Sequence, residues 1–361
     1  MIVAIGNRVR LRLAELRDRE PAWTWMAHSD LTADTLGPPM YADRSAPAFD
    51  AFCDDHPPFL FDGTQPFDGR ALIIQANGLD IGFLGYRQIN LLHDVVELDI
   101  WLASRALAGQ GHGSEALQLA CGWMQRTFGV NRFVLRPSRR NVRALRAVRR
   151  AGFRETDLQA HEVASKLALP RGDYADEVLL FRSLPLPPVS LAVDPQRVYI
   201  FIDSEFTNLT EPRLISLGAV ATDATAFYCE LSDWPRDACS EFVRMQVLPL
   251  LDGDAVPHPV AAESLARWLA ERSERAPVTV VSDSGFDRWA ISDLLGREDL
   301  PSRVEWLRVP VAPEELDAVA SELRLRRHHA LDDARALRYA VLSAHGNTGN
   351  IGSTPRSATS G

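Results

Sequence analysis

The chain has 361 residues, too many for one ordinary hydrophobic core, so two domains are expected. Hydrophobic residues make up 46% of it, yet no run reaches the roughly eighteen apolar residues of a membrane-spanning helix, which excludes that class and any membrane partner. Residues 1–185 balance 22 basic against 22 acidic side chains, so the net charge of -9 falls wholly in the remainder; this excludes a broad basic face for duplex nucleic acid, though not a narrow groove whose bound metal ions reverse the local sign.

In chain order, Arg8, Arg10 and Arg12 alternate with Val9, Leu11 and Leu13. That is the two-residue period of a strand, not the basic and then apolar blocks of a secretion signal, and the expectation is a cytoplasmic protein. Ala71–Gln75, Ile81–Arg87 and Val95–Leu102 read as successive strands. Helical patterns over Gly113–Phe128 and Val142–Ala151 flank a short strand, Arg132–Leu135. Leu184–Pro188 reads LPLPP, and proline runs neither continue a helix nor join a central strand, so residues 186–196 are expected to be a linker between domains 1–185 and 197–345. Val198–Asp203, Leu214–Val220 and Ala226–Leu231 suggest a three-strand meander. Alternating units follow: Ala261–Ser273, Val278–Ser282, Phe286–Leu295, Pro313–Leu325 and Leu331–Ala344. This order predicts a mixed sheet with helices packed on it. Residues 346–361, rich in Gly, Ser, Thr and Asn, are expected to be a disordered tail. None of the four cysteines forms a CxxC pair, so reduced thiols are expected rather than a zinc or disulfide framework.

Asp203 and Glu205 end the first strand of the second half, and residues two apart in an extended chain share a face. Paired carboxylates repel unless a cation lies between them, and Mg2+ or Mn2+ takes such oxygen ligands. Alone, the pair reads equally as two solvated acids. Asp287 opens a helix after Val278–Ser282, where an acid also serves as a cap or dipole partner. His328-His329-Ala330-Leu331-Asp332-Asp333-Ala334 begins the last helix, and its loop-to-helix junction can aim His328 and Asp333 into one cleft. His329 and Asp332 are their adjacent rivals.

The ordered set, DxE on a first strand, FD some eighty residues on and HxAxxDA near the end, resembles the DEDDh 3′–5′ exonucleases, a branch of the RNase H-like nucleases. DSEF at 203–206, LISLG at 214–218 and FVR at 242–244 followed by VLP at 247–249 also resemble a bacterial exoribonuclease family related to RNase T. The resemblance spans residues 197–345. It implies Asp203, Glu205, Asp287 and Asp333 as ligands of two Mg2+ or Mn2+ ions, His328 as general base, and single-stranded RNA or DNA 3′ ends as substrate. Two metals neutralise the phosphodiester oxygens and stabilise the leaving oxygen, and a histidine titrating near neutrality takes the water's proton. Phe206, beside the DxE pair, is a candidate to stack on the terminal base, with a core position as the alternative.

In the first half, Gly109-Gln110-Gly111-His112-Gly113-Ser114 joins a strand to a helix. Glycines let backbone N–H groups converge on a phosphate at a helix N-terminus. With Asn141-Val142-Arg143-Ala144 and Ala151-Gly152-Phe153 behind it, the order resembles the GNAT acetyltransferases over residues 8–183. Within them Arg132–Phe153 resembles the aminoglycoside 6′-N-acetyltransferases. The resemblance implies acetyl-CoA on the 109–114 loop, Asn141 near the pantetheine arm and Asp99 toward an amine acceptor. Two positions depart from the pattern: Ala108 replaces the usual Gln or Arg, and Val148 replaces the tyrosine that serves as acid for the departing thiolate. The arginine run 139–150 is read as gripping CoA phosphates, guiding RNA or forming a solvated face. The expectation is thus an α/β (α+β) protein, a GNAT fold followed by an RNase H-like mixed sheet flanked by helices. Its alternative is a nuclease whose GNAT half is a non-catalytic binding module.

Overall fold

In the computed structural model the chain divides into two compact units, Met1–Pro185 and Leu186–Gly361. The structure describes residues 1–36, 46–156, 158, 169, 176–185, 191, 193–296 and 304–343. The tail expected at 346–361, and residues 186–190 and 192 of the expected linker, lie outside the described residues. No helix among the described residues is long and apolar enough to cross a membrane.

The first unit begins with β1 (Ile2–Ile5) and β2 (Arg10–Leu13). Four short helices follow, α1 (Arg19–Ala27), α2 (Thr32–Leu36), α3 (Phe49–Asp55) and α4 (Phe59–Asp62), in a stretch whose sequence shows no clear period. Then come β3 (Gly69–Ala76), β4 (Leu79–Asn90), β5 (Val95–Leu102), α5 (His112–Phe128), β6 (Arg132–Leu135), α6 (Val142–Arg150), β7 (Arg154–Glu155) and β8 (Leu180–Ser183). The sheet runs β1-β2-β3-β4-β5-β6-β8-β7. Its centre is buried on both faces, which is why β3 reads as a continuous apolar run. Leu72 and Ile74 pack with Leu117, Ala120 and Met124 of α5, whereas Ala71 and Ile73 pack with Ala22, Phe52 and Phe61 of the short helices. β5 and β6 are parallel and pair only from Val95↔Arg132 to Glu97↔Val134. The rest of β5 continues without β6 toward the glycine loop.

The second unit contains β9 (Val198–Phe206), β10 (Leu214–Ala221), β11 (Ala226–Leu231), β12 (Ala255–Val256), α7 (His258–Ser273), β13 (Val278–Ser282), α8 (Gly285–Leu295), β14 (Val304–Arg308), α9 (Pro313–Leu323) and α10 (Ala330–Ser343). Strand β14 is an addition to the elements expected from sequence. The order is β12-β11-β10-β9-β13-β14; β9, β10 and β11 are antiparallel neighbours, and β13 and β14 continue parallel to β9. Alternation along β9 builds both layers. Ile200 and Ile202 face Leu265, Leu269 and Ile291 of α7 and α8, while Tyr199 and Phe201 face Val319 of α9 and Leu337 and Val341 of α10.

The N-terminus of α10 lies directly on β10. Gly218, the cross-strand partner of Asp203, is the residue beneath it. A methyl group at Gly218 would come within 2.3 Å of Leu331 N and 2.4 Å of the Ala330 carbonyl carbon. Both are backbone atoms, so no side chain can swing aside. Gly218→Ala is therefore predicted to destabilise the second unit by about 1–3 kcal/mol or more and to move α10 off the sheet. Thermal melts and hydrogen exchange along α10 check this; an unchanged melt would mean that the helix docks less closely.

Candidate functional site

The end of β9 gathers acids from two further segments. Asp203 and Glu205 come from the strand, Asp283 and Asp287 from the β13–α8 junction, and Asp333 from the first turn of α10. Ligand atoms of Asp203, Asp283 and Asp287 lie within 4.8 Å of one another, as do those of Glu205, His328 and Asp333. The structure thus brings together all five residues singled out by the acid-and-histidine pattern. Asp283 was missed by sequence reasoning. Its signal is positional: it stands just past β13, four residues before Asp287, level with Asp203 once the parallel pairing that ends at Val281↔Phe201 is extended by two residues.

Ser204, on the opposite strand face, donates its hydroxyl to Asp287 Oδ1, and Ser284 caps α8 through the Phe286 N–H. Asp287 is only 2% exposed, and its Oδ2 is buried without a hydrogen-bond partner. The His328 backbone N–H donates to Asp333 Oδ2 at 2.9 Å. His328 itself is left-handed at φ 66°, a conformation that costs a non-glycine residue energy and turns the chain sharply into α10.

Burial, then the charges of Asp287, Glu205, Asp333 and Asp283, holds the Asp203 carboxyl well above the usual range. Burial and Asp333 push Glu205 up to about 8. Burial and Asp283 raise Asp287, against the Ser204 hydrogen bond, and burial raises Asp283 and Asp333. Arg327, 2.5 Å from Asp333 and hydrogen-bonded to Asp317, offsets part of this charge. Carboxylate oxygens with an imidazole at the rim, one buried oxygen lacking a donor, and mutual repulsion together fit a hard divalent cation such as Mg2+ or Mn2+.

The adjacent rivals point elsewhere. His329 is 1% exposed, stacks on Tyr228 at 4.7 Å and reaches toward Asp252 at 3.6 Å; burial lowers its pKa. Asp332 pairs with Arg326 at 2.8 Å and Arg335 at 2.7 Å. The stacking role considered for Phe206 is corrected. The ring is 6% exposed and packs against Phe286 and Trp289, each 5.8 Å away, because the even positions of β9 face the α7–α8 core. The exposed aromatic beside the cluster is Phe242, 54% exposed, with its ring edge-on to His328 at 4.9 Å. Its place in the motif FVR was visible in sequence, but its exposure was not.

In the first unit, Gly109 and Gly111 take φ of 81° and 91°, which only glycine adopts readily, and Gly111 leads into α5. Gly109, Gln110, Gly111 and Ser114 line a recess of about 420 Å3, with Arg8 and Arg150 at its wall. Glu115 also lines it and accepts the backbone N–H groups of Asn7 and Arg8. His112 and Gly113 belong to the same turn without lining the recess. Asn141 is not brought there either: its Oδ1 caps α6 through Ala144 N and its Nδ2 donates to Asp34 O. The arginine run disperses, with Arg140 on Asp176 and Arg143 on Asp34, and only Arg150 of the run lines the recess. Val148 is buried in the core and supplies no acid. Asp99, with His56, Arg87 and Trp101, lines a separate space of about 10 Å3, room for one water.

The acetyltransferase (GNAT) domain family model matches residues 8–154. That stretch of the chain is a GNAT domain. Solved structures similar to the chain include RimL, a ribosomal L7/L12 alpha-N-protein acetyltransferase in complex with coenzyme A, at 19% identity and a TM-score of 0.40, covering 51% of this chain and 98% of that one. AAC(6′)-Ib in complex with ribostamycin and coenzyme A shares 17% identity at a TM-score of 0.39, covering 49% and 94%. Spermidine N-acetyltransferase from Vibrio cholerae in complex with CoA and spermine shares 16% at 0.38, covering 49% and 96%. No curated protein matches the chain.

The carboxyl cluster of the second unit sets a pH test. A group whose folded pKa is raised retains its proton when folded, so its stabilising contribution is present below the unfolded value and lost as pH rises through the folded one. For Glu205 that window runs from 4.5 to about 8. A bound cation replaces the proton, so the rise in Tm on exchanging EDTA for Mn2+ should be larger at pH 8 than at pH 5. Taking the difference cancels groups of opposite sign, such as His56, lowered to about 4 chiefly by burial. Equal increments at both pH values would count against a cation at the cluster.

Proposed function

We propose that the chain is a two-domain enzyme: a metal-dependent 3′–5′ exonuclease of the DEDDh type in the second unit, and an acetyl-CoA-dependent N-acetyltransferase in the GNAT unit. The observation that carries the nuclease reading is the convergence of Asp203, Glu205, Asp287, Asp333 and His328 from three separated segments onto one strand end. Mg2+ or Mn2+ held there would neutralise the scissile phosphate oxygens and the leaving 3′ oxygen. His328, at the rim beside Glu205 and Asp333, accepts the proton of the attacking water. The new P–O bond forms as the P–O3′ bond breaks, and a nucleoside 5′-monophosphate leaves. Phe242 and Met245, the latter 67% exposed, offer a sequence-tolerant surface for the terminal base. A single-stranded RNA 3′ end is the substrate proposed first, and DNA the comparison.

In the GNAT unit, the Gly109–Gly111 turn and the α5 N-terminus hold the pyrophosphate of acetyl-CoA, with Arg8 and Arg150 as counter-charges. The acceptor amine attacks the thioester carbonyl and the C–S bond breaks. With Val148 in place of an acid, CoA departs as the thiolate. Asp99 at the exposed side of β5 is proposed to bind the cationic amine and to pass to solvent the protons that the amine loses before and after its attack. The same Val148 favours a second reading, a unit that binds acetyl-CoA without turning it over.

Two outcomes are expected. Incubated with end-labelled single-stranded RNA and Mn2+, the protein should shorten the 3′ end stepwise, and EDTA should stop it. His328→Ala should lower turnover roughly 10²–10⁴-fold with Mn2+ binding kept, whereas His329→Ala should lower Tm more than turnover. Internal cuts or 3′-phosphate products would remove the exonuclease mechanism. Calorimetric titration of the full chain with acetyl-CoA should give a single site that Gly111→Ala weakens and Asp203→Ala leaves alone. Absence of heat and of thermal shift at millimolar acetyl-CoA would leave a GNAT fold without its cofactor.

A further inference from the structure

The acids at the end of β9 fall into two groups rather than one. Glu205 and Asp333 sit together beside His328, on the α10 side. Asp203, Asp283 and Asp287 form the other group, toward α8. Asp283 lies outside the acid pattern that suggested the site, yet its ligand atom is within 4.8 Å of those of Asp203 and Asp287.

The local structure explains how it arrives there. β13 runs parallel to β9, and Val281 and Phe201 share the face covered by α9 and α10. Two residues further on, Asp283 and Asp203 project at the end of that same face. Arg308 donates to the Asp283 backbone carbonyl at 3.0 Å, which holds the junction while leaving the carboxylate to face Asp203. Asp287 approaches from the first turn of α8. Its Oδ1 is taken by Ser204, and its Oδ2 is the buried oxygen with no donor. An unpartnered carboxylate oxygen on a residue 2% exposed, within 4.8 Å of two further carboxylates, calls for a cation rather than another hydrogen bond.

We infer that Asp283 is a metal ligand, and that Asp203, Asp283 and Asp287 hold a divalent cation of their own, separate from the position at Glu205 and Asp333. This deepens the proposed nuclease site and rests on that reading for its role in catalysis. Three protein carboxylates are enough oxygen ligands to retain Mg2+ or Mn2+, with water completing the shell, before any phosphate arrives. Both cations are then bound in the free protein.

Mn2+ titration of the full chain without nucleic acid, followed by calorimetry and by the electron paramagnetic resonance signal of free Mn2+, tests this. The wild-type protein should take up two equivalents, Asp283→Asn one, and Glu205→Gln should lose the other. In EDTA, Asp283→Asn should melt above wild type, since it removes a repelling charge, and its Mn2+-induced rise in Tm should shrink. Should Asp283→Asn fail to fold, Asp283→Ser serves for the same count. Two equivalents retained by the folded variant with unchanged affinity, or a single equivalent in wild type, would overturn the assignment. If two equivalents bind and no polynucleotide is shortened, the nuclease reading falls while the cation site stands.

Discussion

The backbone contact between α10 and β10 at Gly218 sets the geometry of the second unit. Ala330 and Leu331 can lie against the sheet only because the residue beneath them has no Cβ. Gly218 pairs with Asp203 across the ladder, so this contact also fixes the height of Asp333 and His328 above the strand-end acids. Val319, Leu337 and Val341 then close the layer over Tyr199 and Phe201. The packing and the site therefore share one constraint.

That constraint forces like charges together. Two unit charges 4.8 Å apart repel by about 3 kcal/mol at an effective dielectric near 20. An exposed ion pair returns about 1 kcal/mol at most. Arg327 is partly buried against Asp333 and does more than that, but one guanidinium does not balance five carboxylates. The folded chain eases the conflict by keeping protons, as the raised Glu205 and Asp203 carboxyls indicate. Strongly shifted carboxyls gathered in this way are more common at functional sites than elsewhere.

The GNAT unit uses backbone where the second unit uses side chains. β5 leaves β6 after Glu97, and two left-handed glycines turn the chain into α5, so Gly109 and Gly111 open a recess rimmed by Arg8, Gln118 and Arg150. The replacement at position 108 leaves this backbone arrangement in place. The replacement at 148 is different, because Val148 is sealed in the core and its side chain carries no proton to donate.

Sequence alone carried the information that is local or periodic. The alternation in β9, the apolar run of β3, the 109–114 glycine turn and the spacing of His328 and Asp333 follow from strand and helix periods and from turn chemistry. The helices between residues 19 and 62 were not legible, because each is four to nine residues long, and α1, α3 and α4 are held by burial against β3 rather than by their own pattern. Periodicity alone does not choose between the two adjacent histidines and the two adjacent aspartates; the resemblance pointed to His328 and Asp333. The tertiary structure decides it, since the left-handed turn at His328 sends His329 onto Tyr228 and leaves Asp332 to Arg326. The same holds for Phe206, Phe242 and Asp283. A one-residue change of face buries the first, a place at the N-terminus of the short helix Val243–Val247 exposes the second, and parallel pairing of strands some eighty residues apart brings the third beside Asp203. Contacts between distant segments depend on how the sheet is assembled, and no local pattern encodes them.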